Sequence, residues 1–379
     1  MDVVRDYALL ALRIDRLVAE SPSGNWILDY RGPERYRAEV VAEPLPNPAQ
    51  LIAAAEELAA AVDDVALAEQ IGALHTMARL LAGERLSLRD QVRGMLGIEV
   101  DWIPDAAFDE AYELLDRGLP QTGGTLAERM EAWRTSHTLP TGDTARLAEL
   151  VLHTVDESRR RSEEFLPLPE KIDITCEFAP GPFRGLYRGG PNGTVFVDPQ
   201  LPFNLADLCY VVTHEAFPGH ICEFMMKQDR LADRPDIQVR VMPSPAFVVS
   251  EGIGLHAEHL IFPGDQAQRW LVDTVDELQP DSSDYAAIHH AENMLFGAYC
   301  NAAFLVADGA PWPHVRDYLG RTALLPDLEL AFLEGFFDDP FLRPYIFAYY
   351  HGWRLLQPRA SDRTFMRKVL TEQIAVSSL

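Results

Sequence analysis

The segment VVTHEAFPGH, residues 211–220, carries the side-chain types of a metal-activated hydrolase. A neutral imidazole is a good zinc ligand, and a glutamate beside it, as Glu215 is beside His214, can take a proton from water at the metal. In the common HExxH pattern the histidines are four residues apart and share one helix face. His214 and His220 are six apart, which places them roughly 120° apart on an unbroken helix. They could not bind one metal in that geometry.

The residues between the two histidines predict a break in the helix. Pro218 lacks the N–H that would bond to the carbonyl of His214, and Gly219 tolerates unusual backbone dihedral angles. We therefore expect the helix to end at Pro218 and a turn to bring His220 back toward the metal.

A third ligand is predicted in a helix that begins at Ser244-Pro245. Glu251 lies in a largely apolar part of this helix, where an unpaired carboxylate would be costly to bury, so a cation partner is a natural explanation. Glu258 is seven residues further on the same face and is expected to orient a ligand histidine. The alternative is that Glu258 is solvated near the helix end. His256 and His259 point roughly 80–140° away from Glu251 and are assigned to polar packing.

Two segments resemble those of a bacterial family of helical proteins long catalogued as a domain of unknown function. HEAFPGH (214–220) matches the HExxPGH segment of that family, and EGIGLHAE (251–258) matches its EGWALYAE segment. The fold of the family is similar to that of the Taq-type metallocarboxypeptidases, a mostly helical cleft with the zinc helices at its floor. The resemblance extends over residues 189–356, and the N-terminal third shares only a general helical character.

The resemblance also implies roles for individual residues. His214, His220 and Glu251 would hold zinc, or another divalent transition metal, and Glu215 would be the general base. The segment AYYHG looks like the SYxxG segment of the family, which makes Tyr349 a hydroxyl donor to an oxyanion. Ordinary packing on an aromatic-rich helix is the alternative for this tyrosine.

The chain departs from the family pattern around these residues. Ile221 stands where the family often has a second histidine, and Ile253, Gly254 and His256 replace the tryptophan, alanine and tyrosine of EGWALYAE. The chain is also shorter than many members. These differences leave the predicted ligands intact and change the pocket lining, so they affect the substrate more than the metal.

The composition limits the class of protein. The 379 residues are 47% hydrophobic, which excludes a mainly disordered chain, and the formal charge of −25 makes nucleic acid and membrane surfaces poor partners. The N-terminal stretch is amphipathic, no apolar run reaches membrane-spanning length, and the four cysteines are scattered. We expect a cytoplasmic protein with reduced, buried cysteines.

The predicted fold is mainly α, a large multi-helix zincin-like cleft with a small β ribbon beside the metal helix. Residues 1–165 form an N-terminal helical layer and residues 166–379 the metal-binding catalytic region, although one continuous domain is the alternative. Alternation over 172–177 and a β-branched run at 194–197 predict two strands, which could align an extended substrate or only cap the core. C-terminal helices are predicted over 205–217, 245–261, 265–279, 284–308, 312–324, 327–337 and 344–357.

The function predicted from these patterns is a zinc-dependent peptidase that hydrolyses short peptides. One alternative is a metal-dependent hydrolase or lyase acting on a small metabolite, and another is a non-catalytic binding protein on the same scaffold. His289 and His290 lie mid-helix near Glu292, but adjacent residues point about 100° apart, so at most one can face a site. A core or surface position is the simpler interpretation for both. The oligomeric state is open, a homodimer included.

Overall fold

The computed structural model describes residues 2–19, 27–139 and 142–379. The protein is mainly helical, with 64% helix and 8% strand, which confirms the predicted fold class. No helix of the described residues is both long and apolar enough to cross a membrane. The four cysteines are free thiols, and all except the half-buried Cys176 are buried.

The helices follow the chain from end to end, with most of the strands in the middle. The α-helices of the described residues are α1 Val3–Val18, α2 Glu34–Ala42, α3 Pro48–Ala60, α4 Val65–Leu81, α5 Leu88–Leu96, α6 Asp109–Gly118, α7 Leu126–Ser136, α8 Thr144–Ser162, α9 Leu208–Glu215, α10 His220–Leu231, α11 Pro235–Gln238, α12 Pro245–Ile261, α13 Gln266–Thr274, α14 Tyr285–Ala307, α15 Trp312–Thr322, α16 Asp327–Asp338, α17 Leu342–Tyr345, α18 Phe347–Leu356 and α19 Arg363–Thr371. The strands are β1 Ile27–Tyr30, β2 Thr138–Leu139, β3 Asp173–Phe178, β4 Arg184–Gly189, β5 Asn192–Val197, β6 Phe203–Asn204 and β7 Val239–Val241.

The strands form three small sheets. Strand β5 is the centre of the largest, with β3 parallel on one side and β4 antiparallel on the other. Strands β1 and β7 pair antiparallel, as do β2 and β6. The two strands predicted over 172–177 and 194–197 are confirmed as β3 and β5. Strand β4, which lies between them in sequence, was not predicted.

Local capping explains several helix boundaries. A capping box begins α7, with the Glu128 side chain bonded back to the Thr125 backbone. The segment 48–81 is two helices, because the Asp64 carboxylate accepts a hydrogen bond from the Leu67 N–H and starts α4. The C-terminal helices predicted from residue 245 onward are present as α12 to α16 and α18, while α10 and α19 were not predicted.

Helices α12 and α18 pack backbone to backbone at the level of the predicted site. A β-carbon at Gly252 would collide with the carbonyl of Gly352, and one at Gly352 would collide with the carbonyl of Val248. Small residues allow helices to approach this closely. The contact therefore fixes the tyrosine-rich segment of α17 and α18 against the face of α12 that carries Glu251.

Packing and strand pairing cross the boundary predicted near residue 165. Strand β1, at the N-terminal end, pairs with β7 from the C-terminal region. Helix α6 likewise packs against α14, and the Asp284 N–H donates to the Gly118 carbonyl. The division into an N-terminal layer and a catalytic region stays a prediction.

We expect Gly252→Ala to lower the free energy of unfolding by about 1–3 kcal/mol, because the added methyl group overpacks the contact between α12 and α18. Urea denaturation followed by circular dichroism measures the change. Gly335→Ala is the matched control, since no atom lies within 4 Å of a β-carbon at this helical position. This control should be neutral or stabilising by up to about 1 kcal/mol. Equal effects of the two substitutions would contradict the close contact.

Candidate metal centre

The break between α9 and α10 brings the two histidines together. Helix α9 ends at Glu215, the Phe217–Pro218 peptide bond is cis, and α10 begins at His220. A β-carbon at Gly219 would collide with the carbonyl of His214, so only glycine fits there. The predicted helix break is therefore confirmed, with two differences: α9 ends at Glu215, three residues before Pro218, and His220 is the first residue of a new helix.

Three side chains from three helices converge at this break. The Nε2 atom of His214 lies 3.3 Å from Oε2 of Glu251, and the Nε2 atom of His220 lies 3.7 Å from Oε1 of the same carboxylate. The two imidazole rings are perpendicular, with centroids 4.7 Å apart. The structure thus brings together the three residues predicted as ligands.

The Glu251 carboxylate is buried, and one of its oxygens has no hydrogen-bond partner among the described residues. Its Oε1 accepts a hydrogen bond from the Tyr345 hydroxyl. Its Oε2 is close to His214 Nε2 but makes no hydrogen bond of acceptable geometry. A buried carboxylate oxygen without a donor is costly. The two imidazoles and this carboxylate form the donor set that tetrahedral zinc prefers, so the residues present fit a zinc ion.

The electrostatics keep Glu251 ionised. Burial alone would raise the pKa of Glu251, but the charges of His220 and His214 and the Tyr345 hydrogen bond hold it below its usual range. Burial opposes the charged form of His214, but the nearby carboxylates of Glu251 and Glu215 outweigh it and raise the pKa of this histidine. The centre therefore has a negative potential that favours a cation.

A buried chain of polar groups orients His220. The Nδ1 atom of His220 lies 3.0 Å from Oγ of Ser250, and the Ser250 hydroxyl donates to Glu223. Lys227 donates to the other Glu223 oxygen at 2.6 Å. Because the side chains of Glu223 and Lys227 are only 2% and 3% exposed, this ion pair is fixed by the core. The second nitrogen of His220, Nε2, is left to face Glu251.

Glu215 is held by the edge of the three-stranded sheet. The Gly185 N–H of β4 donates to Oε2 of Glu215 at 2.6 Å. A β-carbon at Gly185 would lie 2.5 Å from the Glu215 carbonyl, so glycine permits this approach. The other carboxylate oxygen, Oε1, lies 4.0 Å from His214 Nε2. Glu215 therefore stands beside the ligands with one oxygen directed at the centre, as a general base requires.

Tyr349 lies beside the centre, and its hydroxyl has no hydrogen bond among the described residues. Its ring stacks on Phe296 at 5.2 Å and meets Tyr345 edge to face at 5.7 Å. Burial, followed by the charges of Glu251 and Glu215, raises the pKa of Tyr349 well above its ordinary value. The hydroxyl therefore stays protonated and can donate a hydrogen bond. Tyr345, one helical turn earlier, was not predicted, although it is the tyrosine that binds Glu251.

Glu258 does not perform the role predicted for it at His214 or His220. Its Oε2 lies 2.9 Å from Nδ1 of His289 on α14, so it orients that histidine instead. Residues seven apart share a face of α12 but are roughly 10 Å apart along its axis, too far for one centre. His256 is buried and bonds to the Trp353 carbonyl through Nε2 at 2.9 Å, which is the polar packing predicted for it.

The ring of His214 occupies the space in front of Gly254. A β-carbon at position 254 would lie 2.6 Å from Nδ1 and Cε1 of that ring. We expect Gly254→Ala to displace His214 and to weaken zinc binding by about 10- to 100-fold, the range seen when support of a ligand is lost. Competition with a chromophoric chelator measures the affinity, and Gly335→Ala again serves as control. An unchanged affinity in a folded Gly254→Ala variant would contradict this position for His214.

Comparisons with known proteins identify the fold and leave the chemistry open. The chain is similar to a crystal structure described as "the putative lipoprotein from Colwellia psychrerythraea", with a TM-score of 0.56 and 14% identity over 92% of this chain and 62% of that one. A second structure, described as "a putative lipoprotein of unknown function from Shewanella oneidensis", has a TM-score of 0.49 and 13% identity over 96% of this chain and 68% of that one. No protein-family model and no curated protein matches the chain. The Colwellia protein therefore shares the fold, and this chain spans 62% of its length.

Proposed function

We propose that this protein is a zinc-dependent metallopeptidase that hydrolyses short peptides. The observation that carries the proposal is the buried Glu251 carboxylate, whose unpartnered Oε2 faces His214 at 3.3 Å while His220 lies 3.7 Å from its other oxygen. Two imidazoles and a carboxylate that lie this close together form the donor set of many zinc sites. The family resemblance of the HEAFPGH and EGIGLHAE segments supports the same conclusion.

The ligands of the zinc ion would be His214 and His220, through Nε2, and the carboxylate of Glu251. When bound, zinc polarises a carbonyl group and makes a water molecule more acidic. Ser250 and Tyr345 would keep two of these ligands in place, since they bond to His220 and Glu251 respectively. Such supporting hydrogen bonds set the ring orientation of a ligand histidine and the direction of a ligand carboxylate.

Glu215 is the general base of the proposed reaction. Its Oε2 is fixed by the Gly185 N–H, which leaves Oε1 to take the proton from the attacking water. The same carboxyl group then delivers that proton to the leaving amine as the carbon–nitrogen bond breaks. The products are a carboxylic acid and an amine, so no other co-reactant is needed.

The hydroxyl of Tyr349 donates a hydrogen bond to the carbonyl oxygen of the substrate as negative charge develops there. Its ring is held by Phe296 and Tyr345, so the hydroxyl is positioned before substrate arrives. Because Tyr345 already donates to Glu251, it is a positioning residue for a ligand. The two tyrosines therefore have separable effects.

The edge of the sheet favours a peptide as substrate over a small metabolite. Strand β4 borders the centre and has β5 on one side only, which is the arrangement that aligns extended peptides by strand addition. A hydrolase or lyase for a small metabolite, or a binding protein without activity, is the competing function. A panel of short peptides, blocked at either end, decides between them.

The cytoplasmic location stays a prediction. The name lipoprotein is given to the similar structures and not to this chain.

The two steps of metal binding and proton transfer can be tested separately. We expect His214→Ala and Glu251→Gln to lose stoichiometric zinc, measured by plasma mass spectrometry after dialysis. Glu215→Gln should keep the zinc and lose about 10²- to 10⁴-fold in kcat on a fluorogenic peptide. A wild-type protein without stoichiometric transition metal would overturn the proposal. Full activity of Glu215→Gln would remove this residue as the base and leave the metal site standing.

The two tyrosines give a matched pair of variants. We expect Tyr349→Phe to reduce kcat by about 10²- to 10³-fold with zinc affinity unchanged, because a donor to the oxyanion is removed. Tyr345→Phe should instead weaken zinc binding by about 10- to 100-fold, because Glu251 loses its hydrogen bond. Titration with a chelator and steady-state kinetics separate the two outcomes. The reverse pattern would exchange the roles assigned to these residues.

A further inference from the structure

A second group of ligand side chains lies apart from the predicted zinc centre. Asp207 is the last residue before α9, and His289 and Glu292 share one face of α14. One ligand atom from each of these three residues lies within 4.8 Å of the others. Neither the sequence nor the proposed hydrolysis assigns a role to this group.

Glu258 gives His289 the orientation of a metal ligand. Its Oε2 lies 2.9 Å from His289 Nδ1, and the opposite ring nitrogen, Nε2, lies 3.2 Å from Oδ1 of Asp207. The Tyr210 ring packs on the imidazole with centroids 4.7 Å apart, which restricts its rotation. A proton on Nδ1, held by a carboxylate, leaves the lone pair of Nε2 for a cation. This is the arrangement by which carboxylates orient ligand histidines in metal sites.

The Glu258 carboxylate provides an independent indication of a missing partner. The residue is 8% exposed, and its second oxygen, Oε1, is buried with no hydrogen-bond partner in the described parts of the chain. Asp207 and Glu292 add two further carboxylates, and the Arg134 guanidinium lies 3.1 Å from Glu292.

We infer that Asp207, His289 and Glu292 bind a second divalent cation, with Glu258 as the residue that orients His289. One imidazole and carboxylate oxygens suit Zn²⁺ or Mn²⁺. Asp207 and Glu292 have side chains 31% and 27% exposed, so the site is accessible from solvent. Glu258 would then orient a ligand histidine, as the sequence predicted, but that histidine is His289 and not His214 or His220.

The second site is too far from the first for a shared reaction. Asp207 precedes His214 by seven residues at the start of α9, and Glu258 follows Glu251 by seven on α12. Seven residues of helix span roughly 10 Å, whereas the paired ions of two-metal catalysis are about 3.5–4 Å apart. The second cation would instead join the start of α9 to α12 and α14. Its function is to hold in register the two helices that carry His214 and Glu251.

Metal stoichiometry tests the inference independently of the proposed activity. Metal-free protein is titrated with Zn²⁺ and, separately, with Mn²⁺ by calorimetry, and bound metal is counted after gel filtration. We expect two equivalents of at least one of these ions for the wild type. The variants His289→Gln and His214→Ala should each bind one, and the double variant none. His290→Gln is the control, since this adjacent residue lies outside the group, and it should bind two.

The outcomes separate the two sites. If the wild type binds one ion, and that ion is lost in His214→Ala but kept in His289→Gln, the second site is overturned and the first stands. If the wild type binds one ion, and that ion is lost in His289→Gln but kept in His214→Ala, the second site stands and the proposed function is overturned. If His289→Gln does not fold, Asp207→Asn replaces it, and two ions retained in a folded Asp207→Asn overturn the inference. The group would then be a self-contained ion pair of a protonated His289 between Glu258 and Asp207.

Discussion

The close approach of residue 219 to the carbonyl of His214 is the constraint on which the candidate metal centre depends. The chain leaves α9 and enters α10 within four residues, so the last turn of one helix and the first turn of the next point at the same place. No side chain fits at Gly219, and Pro218 cannot donate to the open end of α9. The ends of two helices, whose backbone groups are normally left to solvent, are here folded against one another. His214 and His220 owe their convergence to this turn.

The carboxylate of Glu251 connects this turn to the rest of the molecule. It is buried between the two histidines and receives a hydrogen bond from Tyr345, which precedes α18. Helix α18 in turn lies against α12 through the glycine contact at Gly252, close enough for backbone atoms to touch. The site is thus supported from both sides by packed helices, whereas Glu215 depends on a strand, β4, for its orientation. The proposed ligands and the proposed base are thus positioned by different parts of the fold.

The sequence predicted the parts of the site that depend on local chemistry. A Pro-Gly pair between two histidines has a direct backbone consequence, and an acidic residue in an apolar helix indicates a cation. Strand β4 was missed because RGLYRG has no alternation of polar and apolar residues. Tyr345 and Tyr349 are one turn apart, so periodicity cannot tell which of them contacts Glu251. The pairing of Glu258 with His289 depends on which helix packs beside the C-terminal half of α12, and that is a property of the tertiary structure.

The hydrogen bond between Tyr345 and Glu251 joins residues 94 positions apart. During synthesis, His214, His220 and Glu251 would all leave the ribosome well before the helix that buries and orients the carboxylate. An early ion would therefore meet three exposed side chains on a flexible chain, and full affinity would arise only when α17 and α18 dock. Acquisition of the proposed zinc ion would in this sense be coupled to completion of the chain. Without that ion the complete protein would keep the buried Glu251 carboxylate with the Tyr345 hydrogen bond but without its proposed cation partner.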